Sequence, residues 1–382
     1  MYGMRKNSLY PIILSDEMSA QDNFDTCVKK LKISFNYYDQ CVDVVSCWHS
    51  LFDHYIRNGA GKYFDRYPSL ENDQTPDFTM CFNDEYGWIV DVTHSINDSN
   101  GCLEDKIQQI QNYDKIIKIK NGPGKNEYIN VGTKDIILLV NQKYSNESAI
   151  SLRKYYQENP SAAPENNLIL LEYTLENADA YSAYIFKKMI HAQNGIFRDE
   201  SLPQNYRLEP PMGEKGKPLP CTPEKFVVNK STHLFCNDAP CPIYLAARMW
   251  DRIFINILTP AQLALWKKSR STIVNQIIVT PSQLKQIICE KISPGCNIEE
   301  QIIINALEFL KVAKRAEKKG AEWEIPYRNL VQKKLSDPSG NTFEEMRAYA
   351  DILAKEYCNE TDHSLTNQKK VTTGKQQSLS NF

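Results

Sequence analysis

Apolar side chains recur at helical spacing from Phe24 and Cys27 through Leu31, then at Val42, Val45, Trp48, Leu51, Phe52 and Tyr55. This periodicity predicts helices across 25–57, stopped by Asn58-Gly59-Ala60-Gly61. The period then changes. Phe78–Phe82 and Trp88–Thr93 are short β-prone runs separated by the turn residues 83–87, the signal of a hairpin. A helix over 102–119, a strand Ile136–Val140, a helix over 147–157, a strand Asn167–Tyr173 and a helix over 178–191 follow. The order helix, hairpin, helix, strand, helix, strand predicts an α/β fold, a mixed sheet flanked by helices.

A Pro- and Gly-rich run, Glu209 to Pro220, continues neither a helix nor a central strand. It predicts a linker over 208–224 between a domain of 1–207 and a mainly helical one of 225–358. In the second domain Asp238 is expected to cap a helix over 240–257, and a short helix after Thr259-Pro260 runs to Arg270. Thr280 and Pro281 stand as N-cap and first residue of the next helix. A helix over 298–319 ends at Gly320, and Ala321–Pro326 is β-like. Helix, turn, helix and wing in that order resemble a winged-helix module. From Asn359 onward polar residues replace apolar ones, so 359–382 is expected to be a disordered tail.

A length of 382 residues suits two to three domains. With 42% hydrophobic and 24% charged residues, the chain is no collagen, coiled coil or wholly disordered polymer. No apolar run is long enough to span a membrane, and no apolar signal core precedes Asp16. The expected setting is cytoplasmic, or nucleoid or nuclear, rather than secreted. Eleven scattered Cys, an odd number, are read as reduced thiols.

The net charge of −2 is a cancellation. Residues 1–207 carry 21 basic and 28 acidic side chains, whereas 225–335 carry 17 and 9, so −7 stands beside +8. On the helix over 298–319, Lys311, Lys314, Arg315, Lys318 and Lys319 are displaced from the apolar Ile303, Leu307 and Leu310. Such a face suits phosphates, DNA or RNA. A solvated charged helix, or a surface for partner proteins, is the alternative.

The informative constellation lies on the hairpin. Asp77 follows Pro76 where the first strand starts, and Asp91 stands near the end of the second between Val90 and Val92. Opposing strands of an antiparallel pair bring residues at matched depth together. A carboxylate beside a core is costly unless it is paired or binds metal. Two converging carboxylates suit a hard divalent cation, Mg²⁺ or Mn²⁺. The plainer reading has Asp77 capping a turn and Asp91 facing solvent.

Pro76-Asp77 followed by Asp91-Val92-Thr93, with Gln109 and Tyr113 one turn apart on the next predicted helix, resembles the PD-(D/E)xK nuclease superfamily. The element order over about 25–175 matches as well. The resemblance implies a restriction-endonuclease-like fold and a metal-dependent endonuclease acting on DNA or RNA. It implies Asp77 and Asp91 as catalytic metal ligands, with the Val92 carbonyl completing the shell. Thr93 stands where the superfamily's lysine belongs. Cap-snatching endonucleases of segmented negative-strand RNA viruses carry that lysine on the following helix. Lys106 is placed for that catalytic role, offsetting phosphate charge or polarising the water. The same enzymes use a helix His as a metal ligand. His49, with Asp53 one turn on, is the candidate here, and Glu71 is a further one.

His233, Cys236 and Cys241, with Cys221 upstream, lack the paired short spacings of structural zinc sites and are read as buried thiols. No Gly-rich phosphate loop, Gly-x-Ser-x-Gly elbow or His-Glu-x-x-His motif is present. The rival functions are a catalytically silent nuclease-like binder of nucleic acid and a subunit of a larger transposition or defence complex.

Overall fold

The computed structural model describes residues 2–3, 24–57, 59, 61–71, 74–93, 95–96, 102–124, 126–178, 181–188, 234–268, 274–293, 296–330 and 346–361. These fall into two compact units, and the division lies within the first helix, between Asp39 and Gln40. The expected linker 208–224 lies outside the described residues, as do 362–382 of the expected tail.

Helix α1 (Phe24–Arg57) is one helix rather than two, and from Gln40 onward it belongs to the α/β unit. Six strands follow: β1 (Tyr63–Arg66), β2 (Phe78–Cys81), β3 (Tyr86–Thr93), β6 (Thr133–Asn141), β7 (Asn167–Ala178) and β8 (Tyr181–Lys188). They form one mixed sheet in the order β1-β2-β3-β6-β7-β8, with β3, β6 and β7 parallel and the other pairs antiparallel. A small separate pair, β4 (Lys118–Lys120) and β5 (Tyr128–Asn130), lies between β3 and β6 in the chain. Helix α2 (Cys102–Asp114) follows β3, and α3 (Gln142–Glu158) joins β6 to β7.

Side-chain alternation sorts the sheet into two apolar layers. Ile89, Ile136, Leu138, Val140, Leu168 and Leu170 face α2 and α3. Phe78, Val90, Ile137, Leu139, Ile169 and Leu171 face Trp48, Leu51 and Phe52 of α1. Central parallel strands covered on both sides read as continuous apolar runs, and β6 does so from Ile136 to Val140. Where β2 turns into β3, a β-carbon at Gly87 would fall 2.7 Å from the Met80 carbonyl oxygen, so only glycine fits.

The mixed α/β sheet flanked by helices agrees with expectation. Besides α1, two expected helices differ. The segment expected as a helix over 178–191 is strand β8, paired with β7 in the register Ala178↔Tyr181 to Leu171↔Lys188. Its Tyr181, Tyr184, Ile185 and Phe186 are β-prone, and sheet pairing overrides their helix-like spacing. The helix expected over 102–119 stops at Asp114 because Lys118–Lys120 pairs with β5.

The second unit takes residues 24–39 of α1 with everything described from Leu234 onward. Helix α4 opens at Pro242 and runs through a wider turn, Met249–Ile253, and a tighter one, Phe254–Ile257. Its N-cap is Cys241, not Asp238, whose carbonyl instead accepts from Tyr38 Oη at 2.9 Å. Helix α5 (Pro260–Lys268) leads to β9 (Asn275–Val279). Helix α6 (Pro281–Ile287, continuing over Ile288–Ile292) follows, capped by Thr280 as expected. Thr280 Oγ1 accepts from Gln283 N, and the Gln283 side chain accepts from Thr280 N, closing a capping box.

Helix α7 (Glu300–Val312) is shorter than expected. Lys314 adopts φ 55°, and Arg315 N reaches back to the Leu310 carbonyl at 2.7 Å, so the chain leaves the helix there. Strands β10 (Glu317–Lys319) and β11 (Glu322–Tyr327) make a two-residue hairpin in which Gly320 has φ 65°. Strand β9 pairs with β11, giving the sheet order β9-β11-β10. A further helix, α8, covers 346–361 and so runs past the boundary expected at 359.

Cys27 of α1 and Cys358 of α8 form a disulfide, which departs from the expectation of uniformly reduced thiols. Cys236 and Cys241 are buried free thiols, and burial pushes Cys241 up to about 12. His233 and Cys221 lie outside the described residues. Among the described residues, no helix is long and apolar enough to cross a membrane.

Candidate functional site

The site belongs wholly to the α/β unit. In the β2–β3 register Phe78 faces Val90, so Asp77, one residue before, stands across from Asp91. Phe78 and Val90 point toward α1; alternation therefore turns Asp77, Thr79, Asp91 and Thr93 toward α2. Asp77 and Asp91 thus stand at matched depth on neighbouring segments of the hairpin.

Asp77 is held at both ends of the residue. Its Oδ2 accepts from Val92 N at 2.6 Å, and its carbonyl accepts from Tyr67 N at 3.0 Å. Tyr67 is a buried tyrosine at φ 54°, a conformation costing roughly 1–3 kcal/mol that surrounding contacts must offset. In an extended strand the N–H and C=O of one residue point to the same side. The Val92 carbonyl thus faces the strand that carries Asp77, as its N–H does.

Asp91 is fully buried and fully engaged. Lys106, one turn into α2, places Nζ 2.8 Å from Asp91 Oδ2, and the same Nζ donates to Gln109 Oε1 at 2.6 Å. Tyr113 Oη donates to Asp91 Oδ1 at 3.1 Å, and Gln109 Nε2 lies 3.4 Å from the same oxygen. Gln109 Nε2 also donates to Tyr113 Oη at 2.7 Å. Spacings of three and four residues put Lys106, Gln109 and Tyr113 on one stripe of α2, directly over β3. A buried carboxylate with a buried ammonium and two further donors satisfies the requirement that interior charge be paired.

Thr93, which stands in the lysine's place, is buried with no hydrogen-bond partner for its Oγ1, and so is Thr79. Two hydroxyls without partners thus lie on the face of Asp77 and Asp91, an uncommon state for buried polar groups. Two carboxylates and a main-chain carbonyl are hard oxygen donors, and Mg²⁺ is commonly held by one or two carboxylates with water and phosphate. The residues present therefore fit such an ion. Among the described residues no group of three or more His, Cys, Asp or Glu is placed to hold a metal ion.

His49 is not brought to this face. The His49 ring packs edge-on against Phe64 at 5.0 Å, and 6.4 Å from Phe78, on the α1 side of the sheet. Burial, with the Arg66 charge, lowers its pKa to about 4, a neutral core histidine. Asp53 pairs with Arg57. Glu71 is half-exposed, 3.9 Å from Lys118. His49, expected as a metal ligand, stands on the helix face that covers the α1 side of the sheet, and Glu71 stands beside Lys118.

The expected basic face of the second unit is also redrawn. Lys311 pairs with Glu308 at 3.1 Å, Lys314 with Glu360 at 2.6 Å, and Lys319 with Glu324 at 2.6 Å. Arg315 takes both oxygens of Glu356, and Lys318 lies 3.7 Å from Glu308 and over the Trp323 ring. Because α7 ends at Val312, these five cations spread over a helix end and a hairpin. Helix α8 brings Glu356 and Glu360 to them, with Tyr357 stacked on Phe309 at 4.6 Å.

Compared with family models, curated proteins and solved structures, the chain matches none.

Sequence reasoning missed Tyr67 and Thr79, and took Thr93 only as the position that lacks the lysine. The alternation Asp77-Phe78-Thr79 and Asp91-Val92-Thr93 was the available signal for the threonines. Nothing local marks Tyr67, whose backbone is set by its bond to Asp77.

Proposed function

We propose that the α/β unit is a metal-dependent nuclease of the PD-(D/E)xK kind, hydrolysing phosphodiester bonds of DNA or RNA. The observation that carries the reading is the Lys106–Asp91 contact. The cation missing at Thr93 reaches the carboxylate from the following helix, beside Asp77 on the neighbouring strand. Asp77 and Asp91, with the Val92 carbonyl, would hold Mg²⁺ or Mn²⁺, which when bound supplies an activated water at neutral pH. Lys106 offsets charge on the scissile phosphate. Gln109 and Tyr113 fix the Asp91 carboxylate in one orientation. The Thr79 and Thr93 hydroxyls offer hydrogen bonds to whatever polar group enters.

In the second unit, the order α5-β9-α6-α7-β10-β11, with β9 and β10 flanking β11, supports a winged-helix-like module. Nucleic-acid contact through Lys311, Lys314, Arg315, Lys318 and Lys319 requires phosphates to take the places of Glu308, Glu324, Glu356 and Glu360. The test is cleavage of single- and double-stranded DNA and RNA with Mg²⁺ or Mn²⁺. Loss of all cutting in Asp77→Asn and Lys106→Met supports the reading, and equal cutting by parent and variants overturns it. A second reading, a silent nuclease-like binder, is favoured by the complete engagement of Asp91. It predicts retained nucleic-acid binding with no cutting under any metal.

A further inference from the structure

We propose that Lys106 is a built-in competitor of the divalent cation for Asp91, so that metal uptake requires its ammonium to leave Oδ2. The inference rests on the site proposed above. Both Asp91 oxygens are occupied, Oδ2 by Lys106 Nζ at 2.8 Å and Oδ1 by Tyr113 Oη at 3.1 Å. The ammonium is 2% exposed and the carboxylate 1%. An ammonium so enclosed has no water shell to retreat into, and its second partner, Gln109 Oε1 at 2.6 Å, keeps it aimed at the carboxylate. A divalent ion sharing that oxygen would meet a like charge at contact distance in a medium of low dielectric, where repulsion is strong. The two cations therefore exclude each other at Oδ2. Ejected from Oδ2, Lys106 keeps Gln109 Oε1 as a tether on the face that also bears Thr79 and Thr93. Metal entry and release of the phosphate-neutralising lysine become one event.

Removing the charge at 106 should then raise metal affinity, whereas a lysine serving only as structural support predicts no gain. Full-length parent and Lys106→Gln protein are titrated with Mn²⁺ and followed by calorimetry. The expected result is binding tighter in the variant by at least about tenfold, the equivalent of one 1.4 kcal/mol repulsion relieved. The gain should vanish when Asp91→Asn is added. Equal or weaker binding in Lys106→Gln, including none in either protein, overturns the proposal. If the variant fails to fold, the parent is treated with acetic anhydride with and without Mn²⁺, and acylation of Lys106 is measured by mass spectrometry. Mn²⁺ should increase acylation by freeing the amine, and unchanged or reduced acylation overturns the proposal. Cleavage takes no part in either readout. Competition without cutting leaves the proposal standing and ends the nuclease reading, while cutting without competition does the reverse.

Discussion

Lys106 reaches Asp91 from the helix that follows its strand, Nζ to Oδ2 at 2.8 Å, with both side chains out of solvent. Asp77, across the hairpin, accepts from Val92 N at 2.6 Å. The two carboxylates share a face and differ in what depends on them.

That difference separates stability from chemistry. Asp91→Asn leaves the Lys106 ammonium buried without its counter-charge, a loss of about 3–5 kcal/mol. Asp77→Asn keeps an oxygen able to accept from Val92 N, so the change to that bond costs about 1 kcal/mol. Both variants should lose metal-dependent cleavage. Urea unfolding of the two should show a large drop in midpoint for Asp91→Asn and a small one for Asp77→Asn. Equal midpoints would refute the assignment of Lys106 to Asp91.

His49 sets a pH dependence. Its folded pKa of about 4 lies below the 6.5 of the unfolded chain because burial penalises the imidazolium. The unfolded state binds the extra proton, so this contribution to stability is present above pH 6.5 and lost as pH falls toward 4. Discounted for partial exposure, the loss is on the order of 2 kcal/mol. His49→Phe should flatten that part of the curve, measured as the difference in unfolding free energy between pH 7 and pH 5 for variant and parent. An unchanged slope would place His49 elsewhere than in the aromatic layer.

Much of the candidate site is local, and for that reason legible in the sequence. Asp77 and Asp91 are set by two-residue alternation on a hairpin, and Lys106, Gln109 and Tyr113 by three- and four-residue spacing on the helix after it. His49 was misread because an amphipathic helix declares which of its own faces is apolar, not which side of a sheet it will cover. The single helix expected over 298–319 gives way for a different reason. Lys, Ala, Arg and Glu over 311–319 have high helix propensity. The pairing of Lys318 with Trp323 and the left-handed turn at Lys314 override it. Glu356 and Glu360 come from a helix more than forty residues on, beyond any local pattern.

The left-handed turn itself makes a prediction. Lys314 sits at φ 55°, where a side chain costs roughly 1 kcal/mol, and its ion pair with Glu360 is largely exposed and worth little. Lys314→Gly should therefore raise the melting temperature by about 2–4 °C, the shift expected for roughly 1 kcal/mol in a chain of this class. Lys314→Val, β-branched at the same φ, should lower it. A fall for the glycine variant in scanning calorimetry would show that the Glu360 pair outweighs the backbone relief.

Helix α8 gives the last. If phosphates and carboxylates seek the same cations, neutralising Glu356 and Glu360 frees Arg315 and Lys314 for nucleic acid. Binding of a duplex should tighten in Glu356→Gln/Glu360→Gln, and the slope of log affinity against log salt should steepen by about 0.9 for each cation freed. Fluorescence anisotropy across a salt series measures both quantities. Because Arg315 takes both oxygens of Glu356, the single Glu356→Gln change should also destabilise the α7–α8 contact, visible as faster amide exchange over 346–361. Tighter binding with an unchanged salt slope would mean that the carboxylates act by repelling DNA from a distance, and that Arg315 and Lys314 themselves touch no phosphate.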